Sequence, residues 1–473
     1  MKTKVALFSL CALTLMAPPM TRQAEARQNS LSGGGSISYE INRQNYDDAQ
    51  AAGQANNDNN YSRVIINPVL TIQSLAEKNA IGLTYAPSLI YGDGNNGDIY
   101  QTARINANWS PTSRWNLVVA DSYQETDTDL NNINRAGFTT EPPTTTPGGQ
   151  QGSGTAGGSQ PSQSANNSQL TNQPGRQKYT NNTFNVNATY QYWEDSFFKL
   201  GYELDQLRYD DLLGSNQNSD RHIVSTNIKH RLNSQYSLTA AASYARGTFD
   251  QAEPAVAGGT PDVDEFHFST SLQSLTIPHH PLSLTYFLDI SNYDDSRQPD
   301  TQIHTLLLGW TWEMSEKSNF SLSAGPTYQK SDTSNTWSYA LNAGYNRQWS
   351  ATGHINFNVA HGMEMRNFSG NSNDNGQTEY WRAGVGITQA LSENLSLNLM
   401  ATAADEDIAN GISSSHNTTQ YTMGGGLSYS FGRWYSLGLN YSYTTQNGDL
   451  PADSYDEQRL MLVLSMQRDF LHW

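Results

Sequence analysis

Apolar and polar side chains alternate residue by residue along many stretches of this chain. In the stretch FNVNATYQYWEDSFFKLGYEL, for example, Phe184 and Val186 alternate with Asn185 and Asn187, and the alternation resumes at Phe198 after a short polar break. A period of two places one kind of side chain on each face of a β-strand. The apolar face of such a strand packs against a protein core in a soluble sandwich, and against lipid in a membrane barrel.

The alternation recurs along nearly the whole chain and predicts about twenty strands, with about eighteen also compatible with the uncertain strand ends. The first strand is predicted at Ser36–Arg43 and the last at Arg459–Trp473. Most predicted strands have roughly 9–14 residues, which suits a tilted strand that crosses a bilayer. In the last strand Trp473 is out of phase with the alternation, so the sequence predicts a bulge or a short tail after Phe470.

Short and long connections alternate between the predicted strands. The short connections are 75–78, 110–114, 193–196, 278–281, 350–353, 392–394 and 432–433. The long connections, rich in Asn, Asp, Gly and Ser, are 44–60, 92–98, 127–178, 210–219, 249–263, 291–300, 366–377, 404–418 and 445–455. Bacterial outer-membrane barrels have tight periplasmic turns and longer external loops. The sequence therefore predicts an all-β fold, a transmembrane antiparallel up-and-down β-barrel with both termini in the periplasm; a soluble all-β fold is the alternative.

The tryptophans fall near predicted strand ends. Those near the short connections are Trp109, Trp115, Trp193, Trp310, Trp312, Trp349, Trp434 and Trp473, and those near the long connections are Trp337 and Trp381. Membrane barrels carry two rings of interfacial aromatic residues, whereas a soluble sandwich would bury several tryptophans at strand centres. This distribution favours the barrel. The residues then predicted to face lipid include Phe184, Val186, Tyr190, Phe198, Leu200 and Tyr202.

The N-terminus has the pattern of a secretory signal peptide. Lys2 and Lys4 precede the apolar run of residues 5–16, and small residues surround a cleavage site between Ala26 and Arg27. The run is too short to cross a bilayer as a helix, so we expect cleavage rather than anchoring. The predicted domains are the signal peptide, residues 1–26, and the barrel, residues 27–473.

Cysteine usage and net charge exclude several kinds of site. The sole cysteine, Cys11, lies inside the predicted signal peptide, so the predicted mature chain can form no disulfide and no thiolate metal site. The formal net charge of −17 makes nucleic acid an improbable partner.

Two segments resemble a family of outer-membrane proteins. The segment NPVLTIQSLAEKNAIGLTYAPSLIYG, residues 67–92, resembles the N-terminal hairpin of outer-membrane β-barrel porins found beside exopolysaccharide and PEP-CTERM protein-sorting genes. The segment SPTSRWNLVVADSY, residues 110–123, is similar to the next turn and strand of that family. The resemblance implies a barrel that takes part in the export of a polymer, and it identifies no functional residue.

Alternation also predicts which side chains line the lumen. They are mainly Asn, Ser, Thr, Gln, Gly and Ala, with few charged residues of either sign. The candidates are Arg104, Asn106, Asn187, Lys199, Glu203, Asp205, Asp289, Asn342, Asn356 and Arg382. Such a wall could provide a path for neutral, hydroxyl-rich solutes, or it could simply be solvated.

The acidic residues are instead predicted to concentrate in the long connections. They include Asp47, Asp127, Asp210, Asp294, Asp405, Glu406, Asp407, Asp456 and Glu457. Clustered carboxylates can bind divalent cations that bridge lipopolysaccharide, but loop solubility also explains them and is the favoured interpretation. The segment 127–178 contains almost no apolar residues and is predicted to be a disordered external loop, with folding into the lumen as the alternative.

These patterns predict a channel rather than an enzyme. No diagnostic catalytic or metal-binding motif is present, so we expect no catalytic residue, no metal and no cofactor. The preferred function is the export of an exopolysaccharide or a related surface polymer. The alternatives are a general diffusion porin, a barrel enzyme, an electron-conduit sheath and a structural adhesin. The expected partners are outer-membrane lipid, lipopolysaccharide, the barrel-assembly machinery and a polysaccharide.

Overall fold

The computed structural model describes most of the chain after its N-terminal segment. The described residues are 27–46, 60–92, 95–127, 178–210, 216–250, 261–295, 298–332, 335–369, 375–409, 415–449 and 454–472. They form twenty strands: β1 Gln28–Tyr46, β2 Tyr61–Leu75, β3 Asn79–Gly92, β4 Asn95–Thr112, β5 Trp115–Asp127, β6 Lys178–Trp193, β7 Ser196–Tyr209, β8 Asn218–Arg231, β9 Tyr236–Asp250, β10 Val263–Ser274, β11 Leu282–Tyr293, β12 Thr301–Ser315, β13 Ser318–Ser331, β14 Asn335–Ser350, β15 Gly353–Arg366, β16 Gly376–Ala390, β17 Leu395–Ala409, β18 His416–Phe431, β19 Tyr435–Gly448 and β20 Tyr455–His472.

The strands close into one antiparallel up-and-down barrel. Each strand pairs with its neighbours in the chain, and β1 pairs with β20 from Ser30–His472 to Tyr46–Tyr455. Closure pairs the first strand with the last, so the backbone polar groups that lipid could not satisfy are paired around the barrel. The predicted fold class and the count of twenty are confirmed.

The two ends of the barrel differ in their connections. The N-terminus of β1 and the C-terminus of β20 lie at the end with the short turns, which we call the short-turn end; the opposite end is the long-loop end. The structure also has two short turns that the sequence did not predict, at 232–235 and 316–317. Asp195, His279 and Gly432 have positive φ angles in three of the short turns, as tight hairpin turns require.

The outer face of the barrel is apolar. Phe198, Leu200 and Tyr202 are exposed there, and Val186 lies directly opposite Tyr202 on the same face. Most tryptophans are also exposed at the strand ends, and the most exposed is Trp337. Large apolar side chains on an outer wall are what a lipid-facing surface requires. No helix in the described part of the chain is long and apolar enough to cross a membrane.

The first strand starts earlier than the sequence predicted. β1 begins at Gln28 rather than Ser36, because the glycines before Ser36 pair despite lacking alternation. A Cβ added at Gly35 would come within 2.9 Å of the Asn67 carbonyl oxygen, so the small residues allow the neighbouring strands to approach closely.

The last strand contains the predicted irregularity. Leu31 pairs with Leu471 while Ser32 pairs with Asp469, so Phe470 is the extra residue of a bulge in β20.

Two predicted long connections were wrong. Residues 92–98 were assigned to a loop, but β3 ends at Gly92 and β4 begins at Asn95. Residues 404–418 were assigned to a loop, but β17 continues to Ala409 and β18 begins at His416. The continuation was hidden because Ala404 to Ala409 contain mostly small or acidic residues on both faces. The carboxylates of Asp405, Glu406 and Asp407 therefore lie on a strand.

Two predictions concern residues outside the described part of the chain. The signal peptide over 1–26 and nearly all of the long insertion, 128–177, remain predictions. The insertion joins β5, which ends at Asp127, to β6, which begins at Lys178.

Candidate pore lining

The burial pattern distinguishes the two faces of the wall. In β1, Ile37 and Tyr39 are exposed on the outer face, whereas Ser36, Ser38 and Glu40 are buried on the opposite face. In a closed barrel this opposite face points inward, so period-two alternation separates the outer surface from the interior along each strand.

Several predicted lining residues lie on the inward face in the middle and short-turn part of the barrel. Arg104 and Asn106 lie two residues apart on the same face of β4, and both are exposed. Asn356 is exposed on β15, opposite Asn346. Three more candidates are half-buried: Asn187 on β6, Lys199 on β7 and Asn342 on β14. The wall there is mostly neutral and polar.

The other predicted candidates lie nearer the long-loop end, and two of them join ion pairs. Asp289 on β11 is 2.7 Å from His267 Nδ1, and Arg382 on β16 contacts two glutamates. Glu203 and Asp205 lie two residues apart on β7, and Asp205 is directly opposite Arg221 of β8.

A buried network centred on Glu40 joins β1 to both of its neighbours. Arg63 of β2 donates to Glu40 Oε2 at 2.7 Å, and the Nε of Arg459 of β20 lies 3.3 Å from Glu40 Oε1. Arg63 also contacts Asp127, and Arg459 contacts Glu457. Because a buried carboxylate needs charged or hydrogen-bonding partners, this network fixes the seam where the barrel closes.

A second network lies on β15, β16 and β17. Arg382 contacts Glu364 at 2.6 Å and Glu406 at 2.8 Å, and Arg366 contacts the same two carboxylates at 3.2 and 2.9 Å. The four side chains form a closed arrangement of alternating charges, which holds the long-loop ends of the three strands together.

The wall opens between β14 and β15 near this second network. The β14–β15 ladder ends at the pair Leu341–His361, although the β15–β16 ladder continues to Arg366 and Gly376. Gly362 follows the last paired residue, and a glycine inside a strand often marks a bend. The end of the β15–β16 hairpin, residues 362–369 and 375–379, thus separates from β14, while its residues 377–379 stay paired with β17; we call it the infolded tip.

Polar contacts place the infolded tip against the inner face of other strands. Asn367 donates to Glu265 Oε1 of β10 at 2.7 Å and accepts from the Tyr293 hydroxyl of β11 at 2.7 Å. Gln377 contacts Gln329 of β13. Since β10 and β15 are five strands apart, the tip must cross the interior to reach these partners.

An aromatic side chain anchors the infolded tip. The Phe368 ring stacks on Phe249 with centroids 5.2 Å apart, and the Arg221 guanidinium lies 4.5 Å from the Phe368 centroid. Any Cβ at Gly247 would clash with the ring, so the glycine of β9 creates the socket that admits it. Arg221 is itself paired with Glu265 at 2.6 Å. The anchor and the polar contacts therefore share one cluster.

A small pocket lies beside this anchor. It is lined by Asn181, Asp205, Gln206, Leu207, Ser219, Arg221 and Phe368. The pocket combines one cation, one carboxylate, two side-chain amides and one hydroxyl with the apolar side chains of Leu207 and Phe368, so its lining mixes polar groups with apolar surface. Among the described residues, no group of three or more His, Cys, Asp or Glu side chains could hold a metal ion.

The residues that organise the long-loop end were not among the predicted lining residues, apart from Arg382. Glu40 and Arg459 continue clear alternations with Tyr39 and Leu460, so the period of two could have identified both. Glu406 was wrongly placed in a loop. The period of two could not reveal the inward bend at Asn367 and Phe368, because a hairpin end that separates from its neighbouring strand keeps the same alternation of side chains.

The comparisons with known proteins concern the C-terminal part of the chain and the fold. Residues 295–468 match the model of the family described as "Putative beta-barrel porin 2". This supports the porin-type barrel that the resemblance implied, although the match lies outside residues 67–92 and 110–123. No curated protein matches the sequence significantly.

Solved structures similar to this chain include outer-membrane receptors and a porin. The siderophore receptor PirA from Pseudomonas aeruginosa has a TM-score of 0.51 and 10% identity, covering 93% of this chain and 81% of that chain. The BenF-like porin from Pseudomonas fluorescens Pf-5 has a TM-score of 0.43 and 9% identity, covering 93% and 99%. The similarity to PirA shows the fold, which is that of outer-membrane β-barrels.

Proposed function

We propose that this protein is an outer-membrane channel for neutral, hydroxyl-rich solutes, and that its cargo is an exopolysaccharide or a related surface polymer moving outward. The observation that carries the proposal is the exposed amide wall of the short-turn half, which includes Asn106, Asn108, Asn356, Asn358 and Asn398. Sugar hydroxyls exchange weak hydrogen bonds with such amides, and no deep electrostatic well holds the cargo.

The charged side chains support this selectivity. Glu40 and Glu406 are each matched by two arginines, so their fields are largely cancelled at short range. We expect a purified sample to give discrete conductance steps in planar bilayers, with a mild cation preference that weakens as salt rises. Strong anion selectivity would contradict the assignment of the lining residues, and an absence of steps would contradict the channel.

The polymer cargo requires a separate test in cells. Deletion of the gene is expected to stop the polymer from reaching the medium, and complementation with the intact gene should restore it. Replacement of Asn187 and Asn342 by Arg should slow export while assembly of the barrel remains normal, because neither residue lies on the outer face.

A general diffusion porin is the second candidate, and the infolded tip favours it. The tip occupies part of the interior at the long-loop end, which suits small solutes better than a thick polymer. A deletion strain that secretes normal polymer but takes up small hydrophilic solutes poorly would establish this alternative in place of export.

A further inference from the structure

The infolded tip is attached to the barrel at two places that lie far apart in the sheet. At its base, Arg366 and Arg382 bind Glu364 and Glu406 within β15–β17. At its far side, Asn367 and Phe368 bind residues of β8–β11. A segment that is fixed at both sides of a lumen reduces the cross-section available to a solute.

The far attachment depends on a few complementary side chains. Asn367 is fully buried and Phe368 is 6% exposed, so neither contact is a surface contact. The ring fits only because β9 has a glycine at position 247, and its faces are covered by Arg221 and Phe249. Loss of either the ring or the socket removes the apolar part of the attachment.

The polar part of the attachment uses the same strands. Glu265 accepts from Asn367 and from Arg221, and Tyr293 donates to Asn367. Water could replace these hydrogen bonds if the ring left its socket, because folding exchanges protein–water hydrogen bonds for protein–protein ones at little net gain. The ring in its socket therefore excludes water from the polar contacts.

We propose that the infolded tip sets the size limit of the channel, and that Phe368 seated against Gly247 is the contact that holds it across the lumen. The inference rests on the proposed channel function. Phe368 and Gly247 act as positioning residues for the tip, and the β15–β16 hairpin is the element that restricts passage.

The test compares two variants that break the same contact from opposite sides. Phe368→Ala removes the ring, and Gly247→Leu fills the socket. Both should raise single-channel conductance and shift the exclusion limit, measured with polyethylene glycols of graded size, toward larger polymers. The double variant should show no further increase, because either change alone releases the tip. Gly425→Ala is the matched control, since a Cβ there would meet only the flexible Leu399 side chain and Asn398 backbone.

A rescue experiment separates the position of the tip from the volume of the ring. Asn367 Nδ2 and Ser291 Oγ lie 3.5 Å apart, so Asn367→Cys and Ser291→Cys can be joined by a short bifunctional thiol reagent. The sole natural cysteine is replaced in this background by Cys11→Ser. In the Phe368→Ala variant, cross-linking should restore the original exclusion limit.

The possible outcomes distinguish a failure of the size-limit proposal from a failure of the proposed channel function. If the unaltered protein conducts and neither variant changes the exclusion limit, the size-limit proposal is wrong and the channel remains. If the unaltered protein is closed but both variants conduct, the tip is the barrier. If none of the three conducts, both the channel and the role of the tip are overturned.

Discussion

The two halves of the barrel interior share one sheet but follow different chemistry. In the long-loop half, Glu40, Arg63 and Glu265 are almost fully buried. Glu40 forms an ion pair with Arg63, and Glu265 forms one with Arg221. In the short-turn half, inward residues such as Asn356 and Asn358 are exposed and neutral. One continuous sheet can therefore provide packing at one end of the barrel and a solvated wall at the other.

The physical reason for the difference is what lies against the inward face. At the long-loop end the infolded tip lies against residues of β8–β11 and β13, and near the seam the inward side chains of β1, β2, β5 and β20 pack on one another, so polar groups in both places need partners within the protein. Water can satisfy the amides at the short-turn end. Charges in the buried half therefore stabilise the fold, while the neutral amides of the other half are available to solutes.

The largest expected effect comes from removing the carboxylate at the centre of the seam. Glu40→Ala leaves Arg63 and Arg459 without their common partner, although they keep Asp127 and Glu457. We expect the free energy of unfolding to fall by about 3 kcal/mol. Urea titration of the barrel in lipid vesicles, followed by tryptophan fluorescence, measures the change.

The matched control lies in the other half. Asn358→Ala removes an exposed inward amide and should change the free energy of unfolding by no more than about 0.5 kcal/mol. Equal losses for the two variants would show that the halves do not differ in the way described.

A smaller effect is expected from the network at the base of the infolded tip. In a double-mutant cycle, Arg366→Met and Glu406→Gln should be coupled by about 1–2 kcal/mol, because the two groups are mostly buried and 2.9 Å apart. The exposed amide pair Asn108 and Asn116, 2.6 Å apart, should be coupled by about 0.5 kcal/mol or less. Coupling energies of the same size in both pairs would show that the charged network and the exposed amides do not differ in how strongly their side chains interact.

The smallest effect on stability is expected from a new charge on the solvated wall. Asn356→Asp should change the free energy of unfolding by no more than about 0.5 kcal/mol, because water hydrates the added carboxylate. Cation selectivity in planar bilayers should nevertheless increase at low salt and return toward the original value as salt screens the charge. Asn356→Ala is the control for loss of the amide, and an unchanged selectivity of the aspartate variant would place position 356 away from the ion path.

The sequence predicted the barrel well because the alternation and the contrast between short and long connections are local properties repeated strand by strand. The inward placement of Arg104, Asn187 and Asn356 follows from the period of two alone. The pairing of Glu40 with Arg459 could not be predicted, since β1 and β20 meet only when the barrel closes. The position of Phe368 depends on a glycine far away in the chain, and no pattern within either segment relates the two.

The most direct test of the division between the two halves is the accessibility of single cysteines on the inward face. In the Cys11→Ser background, Asn356→Cys and Asn358→Cys represent the short-turn half, and Ser38→Cys and Thr378→Cys represent the long-loop half. Ser38 and Thr378 are nearly fully buried. The reaction of each folded variant with a charged, water-soluble thiol reagent is followed over time, with the urea-unfolded protein as the reference for full reactivity.

We expect the cysteines at 356 and 358 to react in the folded barrel almost as fast as in the unfolded chain, and those at 38 and 378 to react only after unfolding. Similar rates at all four positions in the folded protein would contradict a packed long-loop half and a solvated short-turn half.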